Sequence, residues 1–431
     1  MKKVVLRKIY VDGYKNLIEC ESDIHDFNIL VGPNNSGKSN FLEVFAFLNM
    51  LLFGDDEIRK NVFYDKFILR GNSSVCHIEN HVCKPITIVL LFEEISLDQN
   101  IKQIKYELSI QCTSPLIKEK EPIKVGFLKE EINYKDKTQT GKPISLLKRE
   151  GDSFRIRLKS NNFSASNKID STLSCLSAAP IIYPDYQDLH THFTTALGAI
   201  INLMYTDVIF ASPDELRYII GKGHTVTFGG IFRKSFFDVL PYIAKIKQND
   251  LLYEKFKNIL CKIFDLEDIR FSSISSPEKE AFDEGSTKLT QPIHFFELKM
   301  RSHPYSNISE FSDGTLIVTA ILALLLSPER KGSLLCIEEP ENCLHPKAMK
   351  TLVSFLIQES QDTQILITTH SSFLLNLCRP EDVIIARIYP DGGTRFERIK
   401  NLKELRKRLA RGYVNFGDLL ETEFEEEEAI T

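Results

Sequence analysis

The sequence predicts an α/β fold: a mostly parallel core sheet carrying a phosphate loop, an antiparallel β-lobe and an inserted helical region. Three observations carry that expectation. An apolar strand, Phe27–Val31, runs into a glycine-bounded loop and then into an amphipathic helix reaching Phe53. From Asp313 to Ile388, helices and strands alternate in the manner of parallel strands joined by crossover helices. Between these regions strand follows strand from Ile86 to Leu158, which implies antiparallel pairing.

Taken in order, Val4–Val11 is rich in β-branched and apolar residues and reads as a first strand, with Phe27–Val31 as a second. The helix from Ser39 places Phe41, Val44, Phe45, Leu48 and Leu52 on one face. Ile86–Phe92, Tyr106–Cys112, Ile123–Tyr134 and Ser145–Leu158 read as strands separated by Lys, Glu, Pro and Gly turns. Asn161–Asp170 is polar and loop-like. Leu189–Met204 and Arg233–Phe264 carry helical periodicity, with a strand, Asp207–Ala211, between them. Ser272–Thr290, with Pro277 and Gly285, reads as a mobile polar loop before a strand at Ile293–Met300. Then come helix Gly314–Leu326, strand Leu334–Ile337, helix Pro346–Glu359, strand Gln364–Thr368, helix Ser372–Leu377 and strand Val383–Ile388. The expected division is an N-terminal half of the core with the β-lobe (1–160), a mainly helical insertion (161–290), a C-terminal half (291–420) and an acidic tail (421–431).

Composition narrows the classes. A chain of 431 residues can bury a sizeable core and form two or more lobes. Its 54 Lys+Arg against 59 Asp+Glu give a formal net charge of −5, which neither demands nor excludes nucleic acid. Nine cysteines form no regular framework; the closest pairs, Cys76/Cys83 and Cys336/Cys343, are not CxxC, so a reducing interior without a zinc site is expected. No apolar stretch follows the basic N-terminus, and Val44–Phe53 and Leu316–Leu326 are too short to span a bilayer, so the expectation is cytoplasmic with no membrane partner. There is no internal repeat and no sustained heptad pattern.

Four motifs carry chemistry. Gly32-Pro-Asn-Asn-Ser-Gly-Lys-Ser39 matches G-x-x-x-x-G-K-[ST] between a strand and a helix, where that motif must sit. Backbone N–H groups of such a loop and of the following helix cradle phosphate oxygens, giving Gly32, Asn34, Asn35, Ser36, Gly37, Lys38, Ser39 and Asn40 as nucleotide-binding candidates. Lys38 would reach the β- and γ-phosphates, and Ser39 would bind Mg²⁺. Strand Leu334–Ile337 then ends on Glu338 and Glu339. Alone, tandem glutamates read as a solvated strand end; beside a phosphate loop, Glu338 reads as the Mg²⁺ carboxylate and Glu339 as the group that orients or deprotonates water. Ser312, Asp313 and Gly314 open an apolar helix, either as a plain cap or as an anion site formed by Ser312 and the Gly314 and Thr315 amides. Lastly, His370 ends the strand Gln364–Thr368 region, where it is either structural or within reach of a γ-phosphate.

The order of phosphate loop, Phe311-Ser-Asp-Gly-Thr315, Cys336-Ile-Glu-Glu-Pro340, Asn342-Cys-Leu-His-Pro346 and Thr369-His-Ser371 resembles the ABC-type ATPase heads of the RecF/SMC/OLD group. Within that group it is most similar to stand-alone ATPases with an S-x-G-T signature and an E-E-P-E-N-x-L-H-P strand end. The likeness covers most of the chain, including Ile9-Tyr-Val-Asp-Gly-Tyr-Lys-Asn16, where it implies nucleotide contacts by Lys15 and Asn16. Segments around Glu131, Ser145–Arg149 and Phe210–Arg217 are also similar. The resemblance implies ATP and Mg²⁺ as cofactors. It further implies a homodimer sandwiching ATP, in which Ser312 and Gly314 of one copy close on the phosphate held by Lys38 of the other, with room for a higher oligomer. Asn342–His345 would lie at that interface and His370 would be the switch histidine. Two departures stand out: Glu338 replaces the usual Asp, and no glutamine falls between Tyr64 and Phe92, where a Q-loop belongs.

The implied activity is an ATP-gated dimeric clamp or sensor. It would control a separate nuclease or toxin effector, as in two-gene anti-phage defence systems. The alternative is a RecF-like, DNA-binding ATPase of repair. A nuclease in cis is not expected, since no Asp-x-Asp follows His370. The basic stretch Asn401–Gly412, with Lys403, Arg406, Lys407, Arg408 and Arg411, is the one linear candidate for a nucleic-acid contact. Its plainer reading is a solvated helix.

Overall fold

The computed structural model describes residues 3–53, 76–79, 82–95, 101–112, 125–137, 141–183, 189–204, 207–210, 236–274, 293–328, 333–411, 415–420 and 422. Residues 64–75 and 80–81 of the expected Q-loop region, the polar segment after Ile274 and nearly all of the acidic tail lie outside these residues, as do 211–217.

Strands β1 (Lys3–Asp12) and β2 (Cys20–Asp23) pair antiparallel, and β3 (Phe27–Val31) enters a different sheet before the loop and helix α1 (Lys38–Phe53). A small hairpin, β4 (Ile78–Glu79) and β5 (Val82–Cys83), precedes a meander of β6 (Ile86–Ile95), β7 (Ile101–Cys112), β8 (Val125–Asp136), β9 (Ile144–Glu150), β10 (Ser153–Ile156) and β11 (Asn167–Lys168). Helices α2 (Cys175–Ile182) and α3 (Thr191–Met204) follow, then β12 (Asp207–Phe210), α4 (Phe236–Lys247) and α5 (Asp250–Phe264). A hairpin of β13 (Leu266–Ile274) and β14 (Ile293–Met300) is extended by β15 (Tyr305–Asn307), which leads to α6 (Asp313–Leu326). The chain closes with β16 (Leu334–Glu338), α7 (Pro346–Glu359), β17 (Gln364–Thr369), the single turn α8 (Ser372–Leu375), β18 (Val383–Ile388), β19 (Thr394–Arg398) and α9 (Leu402–Ala410).

Two large sheets result. The antiparallel one runs β11-β10-β9-β8-β7-β6-β1-β2, and the core sheet runs β12-β16-β17-β3-β18-β19, parallel except for the edge strand β19. Strands β3, β16 and β17 are buried on both faces, as apolar runs in a covered parallel sheet should be. Side chains alternate between those faces. Leu30, Leu334, Cys336, Leu366, Ile384 and Ala386 enter one core with α1, α2, α3 and the antiparallel sheet. Their neighbours Ile29, Val31, Leu335, Ile337, Ile365, Ile367 and Val383 enter a second core with α4, α5, α6 and α7. Within 161–290, therefore, α2 and α3 serve the first core, α4 and α5 the second, and β12 is a strand of the core sheet itself.

Several boundaries differ from expectation. Ser145–Leu158 is not one strand but the hairpin β9–β10, turned at Gly151, whose φ of +60° suits the first of two connecting residues. Ser272–Ile274, read as the start of a mobile loop, belongs to β13 and pairs with β14. Arg233–Phe264 is two helices in its described part, broken where the Asn249 side chain caps α5. Cys76 and Cys83, unremarkable by spacing, meet across the β4–β5 hairpin as a disulfide with Cα atoms 5.6 Å apart. Arg149 is wholly buried and donates to the carbonyls of Gly151, Asp170 and Leu173, beside Glu130, which accepts from Tyr106, Ser174 and the Cys175 N–H. Both belong to the framework that caps α2. Among the described residues no helix is long and apolar enough to cross a membrane.

Candidate nucleotide site

Parallel pairing brings the strand ends level: Glu338 is opposite Thr368, and Thr368 opposite Leu30, two residues before Gly32. Chemistry read separately from three stretches of sequence (the phosphate loop, Glu338–Glu339 and His370) thus converges at the carboxyl edge of one sheet, where open α/β sheets bind ligands. A cavity of about 650 Å³ opens there, lined by residues 34–40, Glu339, His370, Lys15, Asn16, Cys76, His77 and Gly392.

The loop is held from outside. Asn35 and Gly37 both have positive φ, at 62° and 82°. A Cβ on Gly37 would lie 2.9 Å from the Asn16 side-chain oxygen, so both conformation and space call for glycine. Asn16 is fully engaged: its amide donates to Thr394 (3.0 Å) and to the Asn35 carbonyl (3.3 Å), and its oxygen accepts from Asn40 (2.8 Å). Lys15, the residue beside it, donates to Glu43 on α1 at 2.5 Å, with both groups buried. In this structure Lys15 and Asn16 therefore fasten the loop to α1 and β19, at the wall of the cavity.

Lys38 donates to the loop's own carbonyls, Gly32 at 2.9 Å and Pro33 at 2.8 Å. Burial pushes its amine down to about 8, against the pull of Glu339, Glu338 and Glu341. Next to it, the Ser39 hydroxyl donates to the Glu338 carboxylate. These two hard oxygen donors fit Mg²⁺, which takes one or two protein oxygens and completes its octahedron with phosphate and water.

Glu339 has a left-handed backbone (φ 44°) just past the strand, which turns its carboxylate across to the neighbouring strand end. There it lies 3.3 Å from His370 Nε2 and accepts from Asn342 at 2.8 Å. The His370 hydrogen bond, helped by Asn342, His370 charge and Lys38, holds the Glu339 carboxyl down at about 2 against the opposing effect of burial. A carboxylate held that low stays ionised and orients a neighbour better than it takes a proton.

The Glu341 carboxylate turns inward. Oε1 accepts from Thr369 Oγ1 at 2.5 Å and from the His370 backbone N–H at 2.9 Å. The spare lone pair of Thr369 Oγ1 then accepts from the Ser371 N–H at 2.9 Å. The turn after β16 is thereby clipped to the residue that meets Glu339. His345 instead caps α7, its ring accepting from the Lys347 N–H. Sequence spacing exposed the third carboxylate of Glu338-Glu-Pro-Glu341 but not its direction, which depends on the pairing of β16 with β17.

Ser312 and Gly314 are not brought to this cavity. Ser312 is exposed at the N-cap of α6, shares a 3.0 Å hydrogen bond with Thr315 Oγ1, and makes no side-chain cap bond. Helix α6 packs against α4 and α5 and against the Pro340–Cys343 turn. Cys76, His77 and Gly392 are wall residues that no motif pointed to. On α9, Arg406 pairs with Glu381 at 3.0 Å and only Leu405 is buried.

Sheet order, phosphate loop and carboxylate-bearing strand ends together form a nucleotide site of the phosphate-loop kind, as in an ATPase. Residues 5–197 match the family described as "AAA ATPase domain", and residues 232–376 match that described as "AAA domain, putative AbiEii toxin, Type IV TA system". No curated protein matches the chain. Similar solved structures include the SMC head bound to the C-winged helix domain of ScpA (13% identity, TM-score 0.49, covering 93% of this chain and 99% of that one). Another is the SMC head with an extended coiled coil, bound to the C-terminal domain of ScpA, from Pyrococcus furiosus (12%, 0.45, 95% and 99%). The SMC head domain from Thermotoga maritima is a third (12%, 0.42, 92% and 99%).

Proposed function

We propose that this ATPase is an ATP-gated dimeric clamp that controls a separate effector, a nuclease or toxin, in anti-phage defence, as an OLD-like head would. The observation that carries the clamp is a division of parts. Lys38, Ser39, Glu339 and His370 line one cavity, with Glu338 joined to it through Ser39, whereas exposed Ser312 and buried Gly314 lie outside its lining. A second copy is the economical source of the missing anion-binding helix end. Lys38 holds the terminal phosphates, Ser39 and Glu338 hold Mg²⁺, His370 senses the γ-phosphate, and Glu339 positions the attacking water. Mg²⁺ supplies charge neutralisation for the phosphates. Because the γ-phosphate is gripped only in the closed pair, hydrolysis opens it. The match of residues 232–376 to a family described by a toxin of a toxin–antitoxin system supports the defence setting.

Light scattering and phosphate release with Mg-ATP test this reading. Lys38→Ala should remain monomeric and bind no ATP. Glu339→Gln should bind ATP, accumulate as a dimer, and hydrolyse more slowly by about 10²-fold or more. Full hydrolysis by Glu339→Gln overturns the assignment, and stimulation of the wild type by double-stranded DNA alone favours the repair reading.

A further inference from the structure

His77 stands on the cavity wall with no part in phosphate chemistry, yet its position is closely fixed. Its backbone N–H donates to the Gly13 carbonyl and its own carbonyl accepts from the Lys84 N–H, both at 2.8 Å. The Cys76–Cys83 link closes the hairpin that carries it. Its ring Nδ1 lies 3.1 Å from the Lys15 carbonyl oxygen. A carbonyl only accepts, so Nδ1 carries the proton of that hydrogen bond. In the neutral ring Nε2, on the opposite edge, is then a lone-pair acceptor. The backbone at Lys15, rather than any ligand, sets this tautomer.

Resting on the reading of the cavity as an ATP site, we infer that His77 selects the base. Residues 34–40 hold the triphosphate with its terminal phosphate toward Lys38, Glu339 and His370. The base then falls on the other flank, among Lys15, Cys76, His77 and Gly392. There Nε2 accepts from the 6-amino group of adenine. Guanine presents a carbonyl oxygen at the same position, lone pair against lone pair, and is rejected. The site is therefore specific for adenine nucleotides through a single histidine acceptor.

Calorimetric titration of the full chain with Mg²⁺ complexes of ATP, GTP and N6,N6-dimethyl-ATP tests this directly. Wild type should bind ATP about tenfold more tightly than either of the others, the size expected for one hydrogen bond and its unpaired partner. His77→Ala and the ring-conserving His77→Phe should bring the three affinities together, while Lys38→Ala abolishes all three. Equal affinities in wild type, or discrimination that survives in both His77 variants, overturns the inference. Absence of any triphosphate binding by wild type overturns the ATP-site reading and this one with it.

Discussion

At Lys38, burial and function pull in opposite directions. Its folded pKa of about 8 lies below the roughly 10.4 of an unfolded lysine. Below pH 8 both states are charged and the full penalty of burying the ammonium is present. As pH rises from about 8 through 10.4 the folded state sheds its proton first, so the penalty is relieved and this group's contribution to stability improves. Phosphate binding has the opposite dependence, because it requires the ammonium. ATP affinity should hold steady up to about pH 8 and then fall by up to about tenfold per unit, with one proton taken up on binding. Titration in buffers of differing protonation enthalpy reads that proton directly, and an affinity that stays flat to pH 9.5 contradicts the argument. Glu339 is the complementary case. Its low pKa keeps it anionic at any working pH, which suits a group that orients water.

Among the elements, the short turn Pro340–Cys343 is the junction between β16, β17 and α6. Glu341 holds it to the end of β17 through Thr369 and the His370 backbone. Glu341→Gln, which weakens charge-assisted acceptance without removing bulk, should lower kcat by about tenfold while leaving the Kd for ATP unchanged. Steady-state hydrolysis and equilibrium binding on one preparation separate the two; a weakened Kd with unchanged kcat would mean that Glu341 acts on the phosphate site instead. Such roles mark the limit of what sequence conveys. Lys38, Ser39 and Glu338 were legible because a loop motif and the strand that supports it are local. The core strands were legible because two-sided burial leaves short continuous apolar runs, as in Ile29-Leu-Val31 and Ile365-Leu-Ile367. By contrast, Lys15 finds Glu43 on a helix, Asn16 finds Thr394 on the far edge strand, and His77 finds the Lys15 carbonyl. Each partner is set by tertiary register, on which neither residue's local sequence bears. The β9–β10 hairpin was a different kind of miss: Glu150-Gly151-Asp152-Ser153 carried the turn signal, but the surrounding apolar residues outweighed it.

For the whole molecule, the core sheet is a shared wall, one face belonging to each hydrophobic core. The phosphate loop and α1 sit on the first-core side, and α6 with its exposed Ser312 on the second. A chain therefore displays two separable halves of chemistry, and damage to one leaves the other intact. Lys38→Ala and Ser312→Arg proteins should each be inactive alone. In a mixed pair, the intact loop of one meets the intact helix end of the other at one of the two interfaces. An equal mixture should then regain phosphate release from one site in each mixed pair, whereas a site completed within one chain would regain nothing. On the proposed pairing, placing Ser312 outside its own cavity would make the protein open to complementation: two broken copies would do what neither does alone.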